Sequence, residues 1–263
     1  MAYAAGNAAA YQQMMGRWSQ RLAVSFLDFA AIGEADHVLD VGCGTGNLAF
    51  AVAQRSPRTR IVGVDPSPAF LDYAKAHAAD PRVVFEQGDA TSLAHADETF
   101  QATLALLVLN FVPQYETAAR EMLRVTKPGG VVAAAAWDFA GGLTYTRILL
   151  DTAAALDPDA QAARAKIYTM PLTRFGELGK LWRKVGLRDV EEISLTIRME
   201  FSSFADYWEP WLSGQGTVGP YAAGLKGEKK ALVEHHVRLA YLAGGADGPR
   251  SFTATASAVR GIK

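Results

Sequence analysis

The feature that most constrains this chain is a regular alternation of short apolar segments and amphipathic segments between residues 34 and 138. Strands are predicted for the apolar segments HVLDVG, RIVGVD, RVVFEQGD, ATLALLVLN and VVAAAAWD, and helices for NLAFAVAQR, PAFLDYAKAHA and YETAAREMLRV. Strands that alternate with helices predict right-handed βαβ units and therefore a parallel sheet. ATLALLVLN is apolar almost throughout, as expected for a central strand that is covered on both faces.

The alternation ends after residue 138 and divides the chain. We predict a helical arm at 1–33, a ligand-binding core at 34–138, a helical insertion at 139–171, a core helix and strand at 172–201, a second helical insertion at 202–250 and a final strand at 251–263. The segments VEEISLTIRMEF and SFTATASAVRG alternate at period two, which indicates two strands that pair antiparallel at one edge. A helix within TRFGELGKLWRKVG is predicted to be capped by Thr173 and ended by Gly186.

These segments together predict an α/β fold, a doubly wound and mostly parallel seven-stranded sheet with an antiparallel edge strand and helical cap insertions. In an open sheet of this kind, ligands bind beyond the carboxyl ends of the strands. Both insertions begin at or near such ends. We therefore expect the insertions to form a cap over the ligand, together with the N-terminal arm.

Composition and charge narrow the class of partner. The formal net charge of −1 gives no excess of positive charge to favour nucleic acid or an anionic membrane. The single cysteine excludes a disulfide framework and favours a cytoplasmic compartment. No apolar run reaches the roughly 20 residues of a membrane helix, and the first residues lack the pattern of a secretory signal. We expect a small-molecule partner, and the oligomeric state is left open.

A glycine loop, VLDVGCGTG, follows the first predicted strand. Glycines permit a tight turn and a close approach of the backbone to a ligand, and the N–H groups at the start of the next helix face that ligand. A dinucleotide loop needs G-x-G-x-x-G, whereas Gly42, Gly44 and Gly46 alternate and Asn47 follows. Asp40, just ahead of the loop, would repel a pyrophosphate and would suit an ammonium group.

Two further acids end the next two predicted strands. Asp65 is placed to accept hydrogen bonds from both hydroxyls of a ribose. Asp89, in QGDA, is placed to accept from an exocyclic amine such as that of adenine. A single aspartate at a strand end is ordinarily a cap or turn residue, but three behind a glycine loop favour binding. With Asp40, they describe an adenosine that carries an amino acid and no phosphate.

With these residues identified, the chain resembles the class I S-adenosylmethionine-dependent methyltransferases, in the small-molecule group that includes ubiquinone and menaquinone biosynthesis enzymes. The resemblance covers about residues 35–138, where VLDVGCGTG, GVDPS and QGDA are similar to the family's first three motifs and FQATLALLVLNFVP with EMLRVTKPGG to its later block. There are two departures. Gln101 replaces the usual Asp after Phe100, and Asn110 stands where many relatives have His, so a His base is absent there.

The resemblance implies S-adenosylmethionine as cofactor, with S-adenosylhomocysteine as product. The methionyl part is expected near Asp40, Gly42, Cys43, Gly44 and the carbonyl of Leu106, with Gly46 completing the loop. The ribose is expected on Asp65, and the adenine on Pro66, Ser67, Asp89 and Ala90. Tyr11 and Arg17, in the arm, are predicted to close over the cofactor and meet its carboxylate, although a solvent-facing helix would also suit them.

Candidates for contact with the acceptor lie at strand ends and in the second insertion. Asn110, Trp137 and Asp138 are candidates to orient the acceptor at the strand ends, and Asp138 is also a candidate base. Tyr207, Trp208 and Trp211 cluster in the second insertion, where the two alternatives are packing within the cap and an aromatic wall for a flat or cationic acceptor. No metal is expected, because His235 and His236 are adjacent and would point about 100° apart on a helix.

The sequence therefore predicts methyl transfer to a small molecule by in-line displacement, driven mainly by proximity and the exclusion of water. The acceptor atom, whether O, N or C, is left open. Asn110-Phe-Val-Pro does not match the Pro-Pro-aromatic motif of amino-methylating enzymes, and no cysteine follows the fourth strand for C5 pyrimidine chemistry. A nicotinamide-dependent oxidoreductase and a non-catalytic cofactor-binding module stay open as alternatives.

Overall fold

The computed structural model describes residues 6–33 and 35–263 and contains one seven-stranded sheet. Its strands are β1 (His37–Val41), β2 (Arg60–Asp65), β3 (Val83–Gln87), β4 (Phe100–Leu106), β5 (Thr126–Trp137), β6 (Arg188–Phe201) and β7 (Arg250–Ile262). The order is β3-β2-β1-β4-β5-β7-β6, with β1 to β5 parallel and β7 antiparallel to both neighbours. The predicted fold class is confirmed, and the reversed strand β7 lies between β5 and β6.

The helices cover both faces of this sheet. They are α1 (Ala8–Tyr11), α2 (Arg17–Ala30), α3 (Asn47–Arg55), α4 (Pro68–His77), α5 (Tyr115–Val125), α6 (Thr144–Ala154), α7 (Pro158–Tyr168), α8 (Glu177–Val185), α9 (Phe204–Trp208), α10 (Gly219–Gly224) and α11 (Gly227–Leu242). A π-helical turn, Gln12–Gly16, joins α1 to α2. One hydrophobic cluster packs α2, α3 and α4 on one face, and another packs α5 and α8 on the other.

Two helix boundaries show how local sequence sets the elements. The Ser67 side chain caps α4 by accepting a hydrogen bond from the Phe70 N–H, as predicted. Gly186 ends α8 in the left-handed conformation, also as predicted. The predicted cap at Thr173 is wrong, since α8 starts at Glu177 after Gly176. Thr173 is buried, and its hydroxyl donates to the carbonyl of Met170.

The N-terminal arm and both insertions share a third hydrophobic cluster. Met14 and Trp18 of the arm pack there with α6, α7, α9, α10 and α11. The long strands β6 and β7 contribute their far ends, through Phe201 and Ala254, so this antiparallel pair carries the cap. Trp137, at the carboxyl end of β5, belongs to the same cluster, which places the cap beside the carboxyl ends of the central strands.

Within residues 6–33 and 35–263, no helix has both the length and the apolar character needed to cross a membrane.

Candidate functional site

The glycine loop connects β1 to α3 in a conformation that requires glycine. Gly42 has φ +70°, and a Cβ there would lie 2.3 Å from Cγ2 of Val108. A Cβ on Gly46 would lie 2.8 Å from the ring of Phe50. At Gly44, by contrast, a Cβ would meet nothing closer than Phe70 at 3.8 Å. The first and third glycines therefore fit the loop into its surroundings, and the second leaves space in front of it.

That space is a cavity of about 490 Å³ at the carboxyl ends of β1, β2 and β4. The structure brings together there these predicted cofactor residues: Tyr11, Asp40, Gly42, Cys43, Gly44, Asp65, Pro66, Ser67 and Leu106. The volume lies within the usual range for small-molecule sites. Asp40 and Asp65 are the charged side chains of the lining, and no lysine or arginine is among the lining residues that the structure describes.

Asp65 is held by the backbone on both of its carboxylate oxygens. One oxygen accepts from the Gly44 N–H and the other from the Ser67 N–H, each at 2.9 Å. Burial raises the pKa of this carboxyl, which is 7% exposed, and the two backbone bonds oppose that shift. A carboxylate has about four acceptor positions, so each oxygen can accept another hydrogen bond. The carboxylate is therefore oriented in advance toward a ligand that donates two hydroxyls.

Asp40 is more deeply buried, with 1% exposure. Its Oδ2 accepts from the Ala49 N–H at 3.1 Å, in the first turns of α3. Burial raises its pKa to about 8 and the charge of Asp65 adds to the rise, while the Ala49 hydrogen bond opposes it. A cation beside Asp40 would favour the charged form. This carboxyl is therefore suited to a positively charged ligand.

The N-terminal arm closes one side of this cavity. The ring centroid of Tyr11 lies 5.1 Å from that of Phe70, and Nδ2 of Asn47 donates to Oγ of Ser19 at 2.8 Å. Burial raises the pKa of Tyr11 to about 12, although a hydrogen bond with Ser19 lowers it, so the hydroxyl stays protonated at neutral pH. The sequence did not lead us to predict Ser19, Asn47 and Phe70 as residues of this site. For Asn47, its position directly after Gly46 was an available signal.

A second, smaller cavity of about 40 Å³ lies between the arm, the cap and the end of β5. It is lined by Tyr11, Met14, Met15, Leu107, Phe111, Trp137, Phe139, Tyr145, Thr146, Trp211, Gly216, Thr217 and Val218. Two predicted acceptor residues, Trp137 and Trp211, are therefore brought together, and both cavities share the side chains of Tyr11, Leu107 and Phe111. Leu107 and Phe111 were not predicted to line a site, and their position after the fourth strand was the available signal.

Arg17 is not brought to either cavity. Its guanidinium forms an ion pair with Asp206 at 2.9 Å and lies 4.3 Å from the ring centroid of Trp18. The contacts with Asp206 and Trp18 keep the positive charge of Arg17 beside the cap. The predicted closure of the arm over the first cavity therefore involves Tyr11 in this conformation, without Arg17.

Asp89, Ala90 and Gly46 also lie outside the cavity lining. One oxygen of the exposed Asp89 carboxylate accepts from both the N–H and the hydroxyl of Thr91, each at 2.8 Å, and these bonds lower its pKa. Ala90 packs on the hydrophobic cluster beneath the sheet, and Gly46 shapes the loop. Their contact with a ligand stays a prediction.

The predicted catalytic side chains do not line either cavity. Asn110 is 5% exposed, and neither polar atom of its amide has a hydrogen-bond partner among the residues that the structure describes. Oδ1 of Asp138 accepts from the N–H groups of Ala140 and Gly141, which closes the turn after β5. These contacts give no reacting geometry, so both roles stay predictions.

Tyr207 and Trp208 pack inside the cap, which was the alternative weighed for them. The Tyr207 hydroxyl donates to the carbonyl of Tyr145 at 2.8 Å. Trp208 stacks on Phe204 with ring centroids 5.9 Å apart. A role of these two rings in holding an acceptor is untested.

Apart from the carboxyls of Asp40 and Asp65, the described lining of the two cavities offers no base near neutral pH. Their described lining residues include no histidine, and in the described part of the chain no group of three or more His, Cys, Asp or Glu residues is placed to hold a metal. Burial raises the pKa of the Cys43 thiol well above its usual value, so it stays protonated. The two cavities can position and desolvate a ligand more readily than they can remove a proton.

Comparison with known proteins adds a family. The family model described as "Methyltransferase domain" matches residues 38–130. A demethylmenaquinone methyltransferase of Roseiflexus castenholzii is 32% identical over 174 residues, which cover 61% of this chain and 71% of that protein. The matched segment includes the glycine loop and the strands that line the first cavity.

Other relatives match less of their length, and solved structures share the fold. The chain spans 41% of the length of an uncharacterized Mycobacterium tuberculosis protein, with 30% identity over 114 residues that make up 43% of this chain. The structure of the [4+2]-cyclase SpnF has a TM-score of 0.57 and 21% identity, covering 92% of this chain and 81% of SpnF. The likeness to a cyclase shows that this fold alone does not define the reaction.

Proposed function

Because the chain belongs to the class I S-adenosylmethionine-dependent methyltransferases, we propose that it transfers the methyl group of S-adenosylmethionine to a small-molecule acceptor. The observation that carries the proposal is the pair of buried carboxyl groups, Asp40 and Asp65, beside a glycine loop in a cavity whose described lining residues include no lysine or arginine. Such a lining favours a cofactor that carries positive charge and no phosphate.

The residues present fit this cofactor. Asp65 has free acceptor positions on both oxygens for the two ribose hydroxyls. Asp40 gains charge beside a cation and would pair with the amino group of the methionyl part. Pro66, Ser67 and Phe70 line the adjoining wall and would hold the adenine.

When bound, S-adenosylmethionine would supply a methyl carbon on a sulfonium, and an electron pair of the acceptor would form the new bond as the carbon–sulfur bond breaks and a neutral thioether leaves. The protein's contribution would be to align the acceptor and to exclude water during the transfer. Tyr11, Leu107 and Phe111 would do both, since they line both cavities. Asp40 and Asp65 would be engaged by the cofactor, so a proton released by the acceptor would pass to solvent after the transfer.

The acceptor proposed here is small and apolar. Beyond the glycine loop, the first cavity is lined by Leu106, Leu107, Val108, Phe111, Val112 and Pro113. The Roseiflexus castenholzii relative acts, by its name, on demethylmenaquinone. An acceptor with a largely apolar ring is consistent with this lining, whereas a nucleic acid would need basic residues that it lacks.

Calorimetric titration tests the cofactor. We expect S-adenosylmethionine and S-adenosylhomocysteine to bind, and NADH and NADPH not to bind. The glycine spacing and the lack of a lining cation disfavour a nicotinamide oxidoreductase, so tight NADH binding without any response to S-adenosylmethionine would overturn the proposal.

Methyl transfer is tested separately, with isotope-labelled S-adenosylmethionine and a panel of uncharged ring compounds that carry hydroxyl, amine or activated carbon acceptors. Label in any of these products supports the enzyme. Cofactor binding with no labelled product from any acceptor would instead support the non-catalytic module.

A further inference from the structure

The second cavity lies next to the proposed cofactor cavity and shares part of its lining. Tyr11, Leu107 and Phe111 contribute to both, so these three side chains form a partition between them. On the far side of the partition lie Trp137, at the end of β5, and Trp211, in the second insertion. A molecule held there would be next to the cofactor cavity and shielded by the cap.

The lining of the second cavity selects by shape and polarity. It contains four aromatic residues that the first cavity lacks, Trp137, Phe139, Tyr145 and Trp211, and its described residues carry no charged side chain. Tyr145 and Trp211 stack with ring centroids 4.9 Å apart. Aromatic faces favour flat partners, and an unpaired charge would be costly to bury there.

The indole N–H groups of Trp137 and Trp211 are buried and have no acceptor within 3.5 Å among the described residues, although the Trp211 indole interacts more weakly with the Tyr207 hydroxyl. Buried indoles ordinarily find an acceptor, as Trp182 does by donating to the carbonyl of Val132 at 2.9 Å. Two residues of one apolar lining therefore carry donors without a full hydrogen bond, which points to a ligand that supplies oxygen atoms as acceptors.

Leu107, in the partition, has a strained backbone conformation, and the second cavity has a small volume. Leu107 has φ +63°, a conformation that residues other than glycine rarely adopt, and its N–H donates to the carbonyl of Ala135 at 2.8 Å. A volume of about 40 Å³ is far below that of a site for a ring compound. Entry of a ring therefore requires the lining to move, for which the flexible side chains of Met14 and Met15 are suited.

We propose that this second cavity, with the apolar end of the first, receives the methyl acceptor, and that the acceptor is an uncharged planar molecule whose oxygen atoms accept hydrogen bonds from Trp137 and Trp211. The identification of this ligand as the acceptor rests on the methyl transfer proposed above. The chemical class of the ligand follows from the lining alone.

Three probes test separately the planar shape, the oxygen acceptor and the lack of charge that the proposal requires of the ligand. Coumarin is an uncharged bicyclic compound with a carbonyl oxygen, naphthalene has comparable rings without oxygen, and 2-naphthoate adds a carboxylate. Their affinities are measured by ligand-observed NMR with and without S-adenosylhomocysteine. The variants are Trp137→Phe and Trp211→Phe, which remove the N–H and keep an aromatic ring. Trp208→Phe is the matched control, because its indole N–H is also buried and unpaired but lies outside the lining.

We expect coumarin to bind the wild-type protein, and each lining variant to weaken it about threefold to tenfold, the scale of one lost hydrogen bond. Naphthalene affinity should stay within about twofold in all variants, which also controls for folding. The control variant should leave coumarin affinity unchanged. In protein with ¹⁵N-labelled indoles, coumarin should shift the Trp137 and Trp211 N–H resonances and naphthalene should not.

An equal loss of coumarin and naphthalene affinity in the lining variants would show that the rings act by shape alone and would overturn the hydrogen-bonding assignment. Binding of no probe, or tightest binding of 2-naphthoate, would overturn the cavity's assignment to an uncharged planar ligand. Titration with S-adenosylmethionine keeps the two proposals apart. Cofactor binding without probe binding rejects only the acceptor site, and probe binding without cofactor binding rejects only the methyltransferase.

Discussion

The two cavities share three side chains and differ in almost every other respect. The larger one is built around the glycine loop and is bordered by backbone N–H groups and two buried carboxylates. The smaller one is built from rings and methionines of the arm and cap, with indole donors that lack a full hydrogen bond. One offers acceptors to a positive and hydroxyl-bearing ligand, and the other offers donors to an apolar one.

This difference indicates a division of labour. Polar groups of the first cavity are fixed in part by local contacts, such as the bond from the Ser67 N–H to Asp65, two residues away, at 2.9 Å. Side chains of the second come from segments far apart in sequence, which the shared hydrophobic cluster of the cap holds together. A change in the first region should therefore act on cofactor affinity, and a change in the second on the acceptor or on cap stability.

The largest effect is expected for Gly42→Ala. The added Cβ would approach Val108 to 2.3 Å at a φ of +70°, so the loop must shift where it faces the cofactor. We expect S-adenosylmethionine affinity to fall by more than about 100-fold, on the scale of several lost contacts. Calorimetry measures this effect.

Gly216→Ala is the matched change in the cap. Its φ is +72°, but the added Cβ would meet the flexible end of Met14 at 2.7 Å. Both substitutions should destabilise the fold by about 1–2 kcal/mol through the left-handed backbone. Cofactor affinity should stay within about twofold for Gly216→Ala, and an equal loss in both variants would abolish the distinction between the regions.

Asp65→Ala should weaken S-adenosylmethionine by about 1–3 kcal/mol, or roughly 5- to 150-fold, the scale for hydrogen bonds to a charged group. Asp72→Ala removes the same charge from an exposed position on α4 and is the control. Asp89→Ala should cost less than about threefold, because that carboxylate is exposed and already accepts from Thr91. Unchanged affinity in Asp65→Ala would remove Asp65 from the site.

Asp40 gives the cofactor cavity a pH dependence. Below its pKa of about 8 the free carboxyl is protonated. A bound cation favours the ionised form, so binding releases a proton and affinity rises with pH, by up to about tenfold per pH unit. We expect this slope between pH 5.5 and 7.5, below the titration of the ligand's own amino group.

Proton release is counted by calorimetry in buffers of different ionisation enthalpy. Asp40→Asn should abolish the release and flatten the slope. Equal proton release in wild type and variant would show that Asp40 does not titrate on binding.

The smallest effect on the cofactor is expected for Tyr207→Phe. This change removes the hydrogen bond to the Tyr145 carbonyl inside the cap. The free energy of unfolding should fall by about 0.5–1.5 kcal/mol, the usual net contribution of one hydrogen bond. Denaturant unfolding measures this, and S-adenosylmethionine affinity should stay within about twofold. A large loss of affinity would mean that cap packing also shapes the cofactor cavity.

Sequence reasoning succeeded where one short segment carries both the fold and the chemistry. The alternation of periods predicts the parallel strands, and the spacing from Gly42 to Gly46 excludes the dinucleotide pattern. The predicted cavity residues Asp40, Asp65, Pro66 and Ser67 lie at the ends of strands or directly after them, so their position at the carboxyl edge follows from strand direction.

Prediction from the sequence was less successful for side chains that have more than one possible partner. Arg17 has the charge to meet a carboxylate, but Asp206, 189 residues along the chain, takes it. Asp89 was predicted to end the third strand, but β3 ends at Gln87 and the Asp89 carboxylate accepts hydrogen bonds from Thr91. The sequence shows which charged and hydrogen-bonding side chains are able to pair. The fold determines which of these partners lie close enough to do so.

The sequence by itself determined the sheet and the glycine loop, because hydrophobic period and glycine spacing act over a few residues. Only the tertiary structure decided which aromatic rings line a cavity and which fill the cap. Trp211 and Trp208 are three positions apart, and one lies in the lining while the other stacks on Phe204. That choice depends on how α6, α9, α11 and the arm pack together over long separations in sequence, which no local pattern records.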